Sequence, residues 1–278
     1  MAMNNPKLYS QVNGIVRYTV TKCLDEYIGK IKWKENGNTI IDLGCGDGSV
    51  TCLFRKYIPE NIEKFVAVDI NENMLKFASE HHGDEGITFR LQDVEGDLPD
   101  DMKCSFSHVF SCFLFHWIRK QEKAFQNVYD LLSDGGECFL LFFSYMPFYH
   151  VYDILSRGSK WGDKWLRNVV DDFLSPYYGM KEPEKRITQL LQSAGFVNIN
   201  VECKKMRYTL KDVVELKQLL RAVEPYNMPE DVYEDFFKDF LAAGHDIGFI
   251  DKSINSVDDD HKEIFFNYSL LVVHASKP

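Results

Sequence analysis

Hydrophobic positions in the first half of the chain follow two alternating rhythms. Short apolar, β-branched runs at 39–43, 65–69, 87–91, 107–113 and 137–143 read as buried strands, and the stretches 49–57, 71–82 and 121–132 between them read as helices. The punctuation agrees. Pro59 ends the first helix, Asn71 can cap the second and Gly83 can stop it, and Asp134-Gly135-Gly136 closes the third. Strands alternating with helices predict an α/β fold with a parallel sheet wound by right-handed crossovers. After Phe143 the rhythm breaks, and residues 145–178, rich in Tyr, Phe and Trp, read as an inserted helical segment. A helix over 183–194 stopped by Gly195 and a strand over 196–204 follow. Helices over 210–220 and 231–243 come next, the latter stopped by Gly244, and then a closing strand over 264–275. The expected organisation is a core over 1–144, a helical cap insert over 145–182, a core helix and strand over 183–209, a second helical cap insert over 210–260 and a final core strand over 261–278. The acidic run Asp258-Asp259-Asp260 reads as a solvated loop.

Composition narrows the class. With 278 residues and 45% hydrophobic content, the chain can bury one sizeable α/β core with an added subdomain. Its 32 Lys and Arg against 42 Asp and Glu give a net charge of −10, which makes a nucleic acid partner unfavourable. The first residues carry no basic stretch followed by an apolar core, and no apolar run is long enough to span a bilayer. A soluble cytoplasmic protein is the expectation, with a homodimer as one allowed oligomeric state. Seven cysteines, an odd number without a C-x-x-C pair, read as reduced packing thiols, and no metal site is expected.

The chemistry concentrates at strand ends. Behind the first strand, Gly44, Gly46 and Gly48 stand in a G-x-G-x-G turn before a helix, where a ligand can lie against bare backbone. The spacing differs from the G-x-G-x-x-G of dinucleotide binders, and so weakens a NAD-dependent oxidoreductase reading. Asp69 ends the second strand, where its carboxylate can accept both hydroxyls of a ribose. Asp93 follows the third strand, where it can accept from an exocyclic amine such as adenine N6 while Val94 packs on the ring. Together these groups describe a nucleoside with no phosphate.

On these residues the chain resembles the class I S-adenosylmethionine-dependent methyltransferases, whose first motif has the form D-x-G-x-G-x-G. The resemblance implies a Rossmann-like sheet of seven strands with a helical substrate-binding cap, the last two strands forming an antiparallel pair at one edge. It also implies S-adenosylmethionine as cofactor, with Asp42, Gly44 and Gly46 near its methionine end and Ile70 and Ser111 in the cofactor set. A wider resemblance, to the insect juvenile hormone acid methyltransferases, runs through IIDLGCGDGSVT at 40–51, VEGDLPDD at 94–101, HVFS at 108–111, HWIRKQEKAFQN at 116–127 and the Glu182-Pro183-Glu184-Lys185 run. His116-Trp117 is also similar to the pair in trans-aconitate methyltransferases, another carboxyl-methylating group.

The acceptor implied by these resemblances is the carboxylate of a sesquiterpenoid, farnesoic or juvenile hormone acid. Such an acid, with a pKa of ~4–5, is already ionised at neutral pH and can attack a sulfonium methyl without a general base. His116 and Trp117 are therefore assigned as donors to the carboxylate or as walls around it; a core histidine beside a packing tryptophan is the alternative. Aromatic residues of the insert, among them Tyr149 and Trp161, are candidates to line an isoprenoid slot. The resembling family places a glutamine near the substrate carboxylate on its first helix. Lining up Leu8-Tyr9 and Asn13 puts Val16 there, with Gln11 about a turn and a half away. That departure leaves two other readings open: a methyltransferase for another small carboxylic acid, or a weakly active paralogue that mainly binds cofactor and isoprenoid.

Overall fold

The computed structural model describes residues 5–83, 86–167, 170–224, 226–254 and 262–278. The chain opens with two helices, α1 (Pro6–Val12) and α2 (Gly14–Tyr27), broken at Asn13. The alternating core follows as β1 (Asn38–Leu43), α3 (Ser49–Phe54), β2 (Ile62–Asp69), α4 (Glu72–His82), β3 (Thr88–Leu91), β4 (Phe106–Cys112), α5 (Gln121–Leu131) and β5 (Leu132–Tyr145). Next come α6 (Pro147–Arg157), a π-helical turn (Gly162–Leu166), α7 (Val170–Phe173) and α8 (Pro183–Ala194). The chain closes with β6 (Val197–Leu210), α9 (Val213–Val223), α10 (Glu230–Asp246) and β7 (Ile264–Ser276).

The strands form one seven-stranded sheet in the order β3-β2-β1-β4-β5-β7-β6. β1 to β5 run parallel, and β7 pairs antiparallel with both β5 and β6 at one end of the sheet. The fold class is the expected α/β, Rossmann-like one with its antiparallel edge. Alternate side chains of each strand enter different cores: Ile40, Phe110, Phe139 and Val272 pack on one side, and Ile41, Val109, Leu140 and Val273 on the other. The first core also takes in buried residues of α2, α6, α9 and α10, so the later helices share apolar contacts with the sheet's own face.

Several boundaries differ from those expected, for tertiary reasons. α10 runs through Gly244 instead of stopping there; a Cβ at this position would come within 2.6 Å of Ile250 Cδ1, so the glycine serves packing and not helix termination. Leu210 belongs to β6, not to the helix after it, and α9 starts only after Asp212 caps it by accepting from the Glu215 N–H. β5 begins at Leu132, directly after α5, and carries Gly135 at φ +74° within it. α3 stops at Phe54, short of 57. The expected loop at Asp258-Asp259-Asp260 lies outside the described residues. No described helix is long and apolar enough to cross a membrane.

Candidate active site

The C-terminal ends of β1 to β4 open onto a cleft, the place where ligands of open α/β sheets bind. Its lining brings together seven residues expected to bind the cofactor: Asp42, Gly44, Gly46, Asp69, Ile70, Asp93 and Val94. Ser111 is buried but does not line the cleft. Its hydroxyl donates to the Leu43 carbonyl at 2.8 Å and so ties the end of β4 to the end of β1.

The glycines divide by task. A Cβ on Gly44 would sit 2.8 Å from Leu114 Cβ, and one on Gly48 3.1 Å from Ala78 Cβ, so both allow close packing. Gly46, at φ +54°, has no atom within 4 Å of where its Cβ would stand, and it lines the cleft. This is the bare backbone that a ligand can approach. Asp69 shapes the turn by accepting from the Gly46 N–H at 2.9 Å and the Asn71 N–H at 2.8 Å, and its remaining lone pairs are available to a ligand.

Among the described residues five carboxylates line this cleft, those of Asp42, Asp47, Asp69, Asp93 and Glu95, and no Lys or Arg does. Burial raises the pKa of Asp69 and of Asp47. Asp42 is pushed up to about 7, chiefly by burial, against the Thr51 hydroxyl that it accepts at 2.6 Å. Such a site repels a phosphate and favours a cationic ligand. Glu95 also accepts the Arg119 N–H at 2.6 Å, and Asn127 donates to the Val94 and Gly96 carbonyls at 2.8 and 2.7 Å. The loop after β3 is thereby pinned to the start of α5 and to the segment that carries His116.

A second, smaller cavity lies under α1, α6 and α9 and shares Tyr9, Val16, Phe113 and Trp117 with the first. His116 and Tyr149 line it as well. Phe113 adopts φ +64° just past β4, an uncommon conformation for a non-glycine residue, and stands at the junction of the two cavities. The following turn is held by Gln121, whose amide donates to the Phe115 and Ile118 carbonyls at 2.9 Å and whose oxygen accepts from the Tyr177 hydroxyl at 2.6 Å. His116 is 3% exposed, ringed by Phe113, Trp117 and Phe143, and its Nδ1 has no protein partner. Burial, with a smaller contribution from the Arg119 charge, pushes its pKa down to about 3, so the free imidazole is neutral near pH 7.

Trp161, expected in the acceptor slot, lines neither cavity. Its indole N–H donates to Asp239 Oδ2 at 2.6 Å and its ring meets Phe236 edge-on, which anchors the π-helical turn to α10. Sequence reasoning missed other residues of the site, Asp47, Glu95 and Phe113 among them, and two on the N-terminal helices matter most. Tyr9 lines both cavities, and Asn13, at the break between α1 and α2, donates to Asp47 Oδ2 at 3.1 Å and Ser49 Oγ at 3.0 Å while accepting from Arg17. An Asn between two short helical stretches is the signal that points there.

Comparison with known proteins agrees with this arrangement. A family model described as a methyltransferase domain matches residues 41–140. The chain is 42% identical over 275 residues to the juvenile hormone acid O-methyltransferase of Bombyx mori, covering 99% of this chain and 98% of that protein. To the protein of the same name from Drosophila melanogaster it is 32% identical over 282 residues, covering 99% and 93%. Among solved structures, phosphoethanolamine N-methyltransferase 2 of Haemonchus contortus in complex with S-adenosyl-L-methionine has the same fold, with a TM-score of 0.57 at 16% identity over 100% of this chain and 57% of that one. With its likeness to the insect enzymes running through nearly the whole of both chains, the protein belongs to the juvenile hormone acid O-methyltransferase family.

Proposed function

We propose that this protein is an S-adenosylmethionine-dependent carboxyl O-methyltransferase whose acceptor is a sesquiterpenoid acid, a juvenile hormone acid or farnesoic acid, and whose product is the methyl ester. The observation that carries the reading is the pairing of an acidic, phosphate-repelling cleft with an apolar cavity through shared walls at Tyr9, Val16, Phe113 and Trp117. When bound, S-adenosylmethionine supplies an electrophilic methyl on a sulfonium. The chain's part is to orient and desolvate. Asp69 takes the ribose hydroxyls, Asp93 and Val94 the adenine, with Ile70 beside them, and Asp42 and the Gly46 backbone the methionine end.

The acceptor carboxylate is already ionised, so His116 has no proton to remove; as a neutral imidazole it donates one N–H and excludes water beside Trp117. Holding the two reactants in line can supply about 7–11 kcal/mol of the barrier reduction. The apolar lining of Val16, Phe143, Met146, Phe148 and Leu219 receives the isoprenoid chain, at about 0.8 kcal/mol per buried methylene. Helices α6 and α9, which belong to the expected inserts over 145–182 and 210–260, act as the cap over this cavity. A cytoplasmic location fits the reduced cysteines, and the net charge of −10 argues against a nucleic acid partner. The test is a panel of farnesoic acid, juvenile hormone acids and small tricarboxylates with methyl-labelled S-adenosylmethionine. Ester formation on the sesquiterpenoid acids is expected, and turnover confined to tricarboxylates would refute the assignment.

A further inference from the structure

In the acceptor cavity the described polar side chains are few: Tyr9, Asn13, His116, Trp117 and Tyr149. Asn13 spends its amide on Asp47, Ser49 and Arg17, and Val16 offers only methyl groups. Two buried polar atoms remain without a protein partner on residues that line the cavity, His116 Nδ1 and the Tyr149 hydroxyl. Leaving a buried hydroxyl unpaired is costly, and other buried tyrosines here avoid it: Tyr177 donates to Gln121 at 2.6 Å and Tyr233 to the Lys217 carbonyl at 2.8 Å. Tyr152 and Tyr226 also lack partners, but neither lines the cavity, and Tyr9, which does, is only half-buried; Tyr149 is the cavity-lining tyrosine whose hydroxyl is fully buried and unpaired among the described residues.

Tyr149 sits in the first turn of α6 and is 1% exposed, its ring held edge-on against Phe148 and Phe173. That packing leaves the ring little freedom. The charge of Arg119, whose guanidinium is fixed on the Asp172 and Leu174 carbonyls, acts on both Tyr149 and His116 and makes their surroundings favourable to an anion.

We infer that the Tyr149 hydroxyl and His116 Nδ1–H together form the carboxylate-binding end of the acceptor cavity, so that Tyr149 is a polar anchor for the reacting group and not a wall of the isoprenoid slot. The inference rests on the carboxyl-methylating reading and names the groups that orient the nucleophilic oxygen. It also explains how the cavity holds an acid although Val16 contributes no donor.

The test compares Tyr149→Phe with wild type by titrating farnesoic acid and the uncharged alcohol farnesol into protein saturated with S-adenosylhomocysteine, alongside steady-state kinetics. Phenylalanine keeps the ring packing and removes an unpaired buried hydroxyl, so the melting temperature should hold or rise and the cofactor dissociation constant should be unchanged. The acid's affinity and kcat/KM should fall ten- to a hundredfold, the affinity for the alcohol should hold, and Val16→Gln added to Tyr149→Phe should recover part of the loss. An undiminished preference for acid over alcohol in a folded Tyr149→Phe protein, with wild type still methylating the acid, would overturn this inference and leave the proposed function standing. A wild type that neither binds nor methylates the acid would overturn both.

Discussion

Asp69 holds the glycine turn and lines the cleft with the same carboxylate, which sharpens what its removal should do. On the proposed ribose assignment, Asp69→Ala loses hydrogen bonds to a charged group worth about 1.5–3 kcal/mol each, and it also frees the Gly46 and Asn71 N–H groups. S-adenosylmethionine affinity should drop at least tenfold by calorimetry with only a small loss of melting temperature, and unchanged affinity in a folded variant would remove the ribose assignment. His116 offers a test of a different kind. A group with its pKa near 3 in the free enzyme is neutral throughout the range where an ordinary histidine, near 6.5, would titrate. At saturating S-adenosylmethionine, kcat/KM should therefore show no inflection between about pH 5.5 and 7.5. His116→Ala should still lower it by far more than it changes cofactor affinity. A protonation step near 6.5 that vanishes in His116→Ala would mean that the imidazole acts as a base.

At the scale of elements, the glycine turn contains two kinds of glycine that sequence cannot tell apart. Gly44→Ala would drive a Cβ into Leu114 at φ +75°, so its expected effect is on stability, read as a lowered denaturation midpoint. Gly46→Ala meets open space. Its backbone strain should cost about 1 kcal/mol, while cofactor affinity falls tenfold or more because the methyl group occupies ligand space. Equal effects of the two on binding would contradict this division. The same contrast explains what could be read in advance. Strand-turn-helix units, Asn71 as a cap and Gly195 as a left-handed stop were legible, because period and local backbone geometry set them. Gly244 was read as a stop and lies inside α10, because its role depends on Ile250, which a local pattern does not reveal. The continuation of β6 to Leu210 depends on pairing with β7, from Lys205↔Ser269 to Leu210↔Ile264, another long-range fact. Likewise Tyr9 and Asn13 reach the cavities through the placement of α1 over the sheet edge, and Trp161 is drawn away by Asp239 on α10.

For the molecule as a whole, the consequence of gathering five carboxylates at one cleft is that ligand binding and proton binding are linked. In the free protein burial, with the neighbouring Asp69 charge, pushes the pKa of Asp42 up to about 7, so its carboxyl holds a proton far closer to neutral pH than an ordinary aspartate does. S-adenosylmethionine brings a sulfonium and an ammonium against one carboxylate, a net positive charge, and so favours the ionised form of Asp42 and lowers its pKa. The sign follows: the free state binds more protons than the complex below about pH 7, and binding releases them. Affinity for S-adenosylmethionine should therefore rise with pH up to about 7 and then level off. Calorimetric titrations near pH 6.5 in buffers of different ionisation enthalpy should show a binding enthalpy that varies with the buffer, with a slope equal to a fraction of a proton released. S-adenosylhomocysteine, which lacks the sulfonium charge, should release fewer protons, and Asp42→Asn should remove most of the effect for both ligands. A buffer-independent enthalpy in wild type would show that Asp42 is already ionised in the free protein. A slope unchanged by Asp42→Asn would move the proton to Asp47 or Asp69, the other buried acids of the cleft.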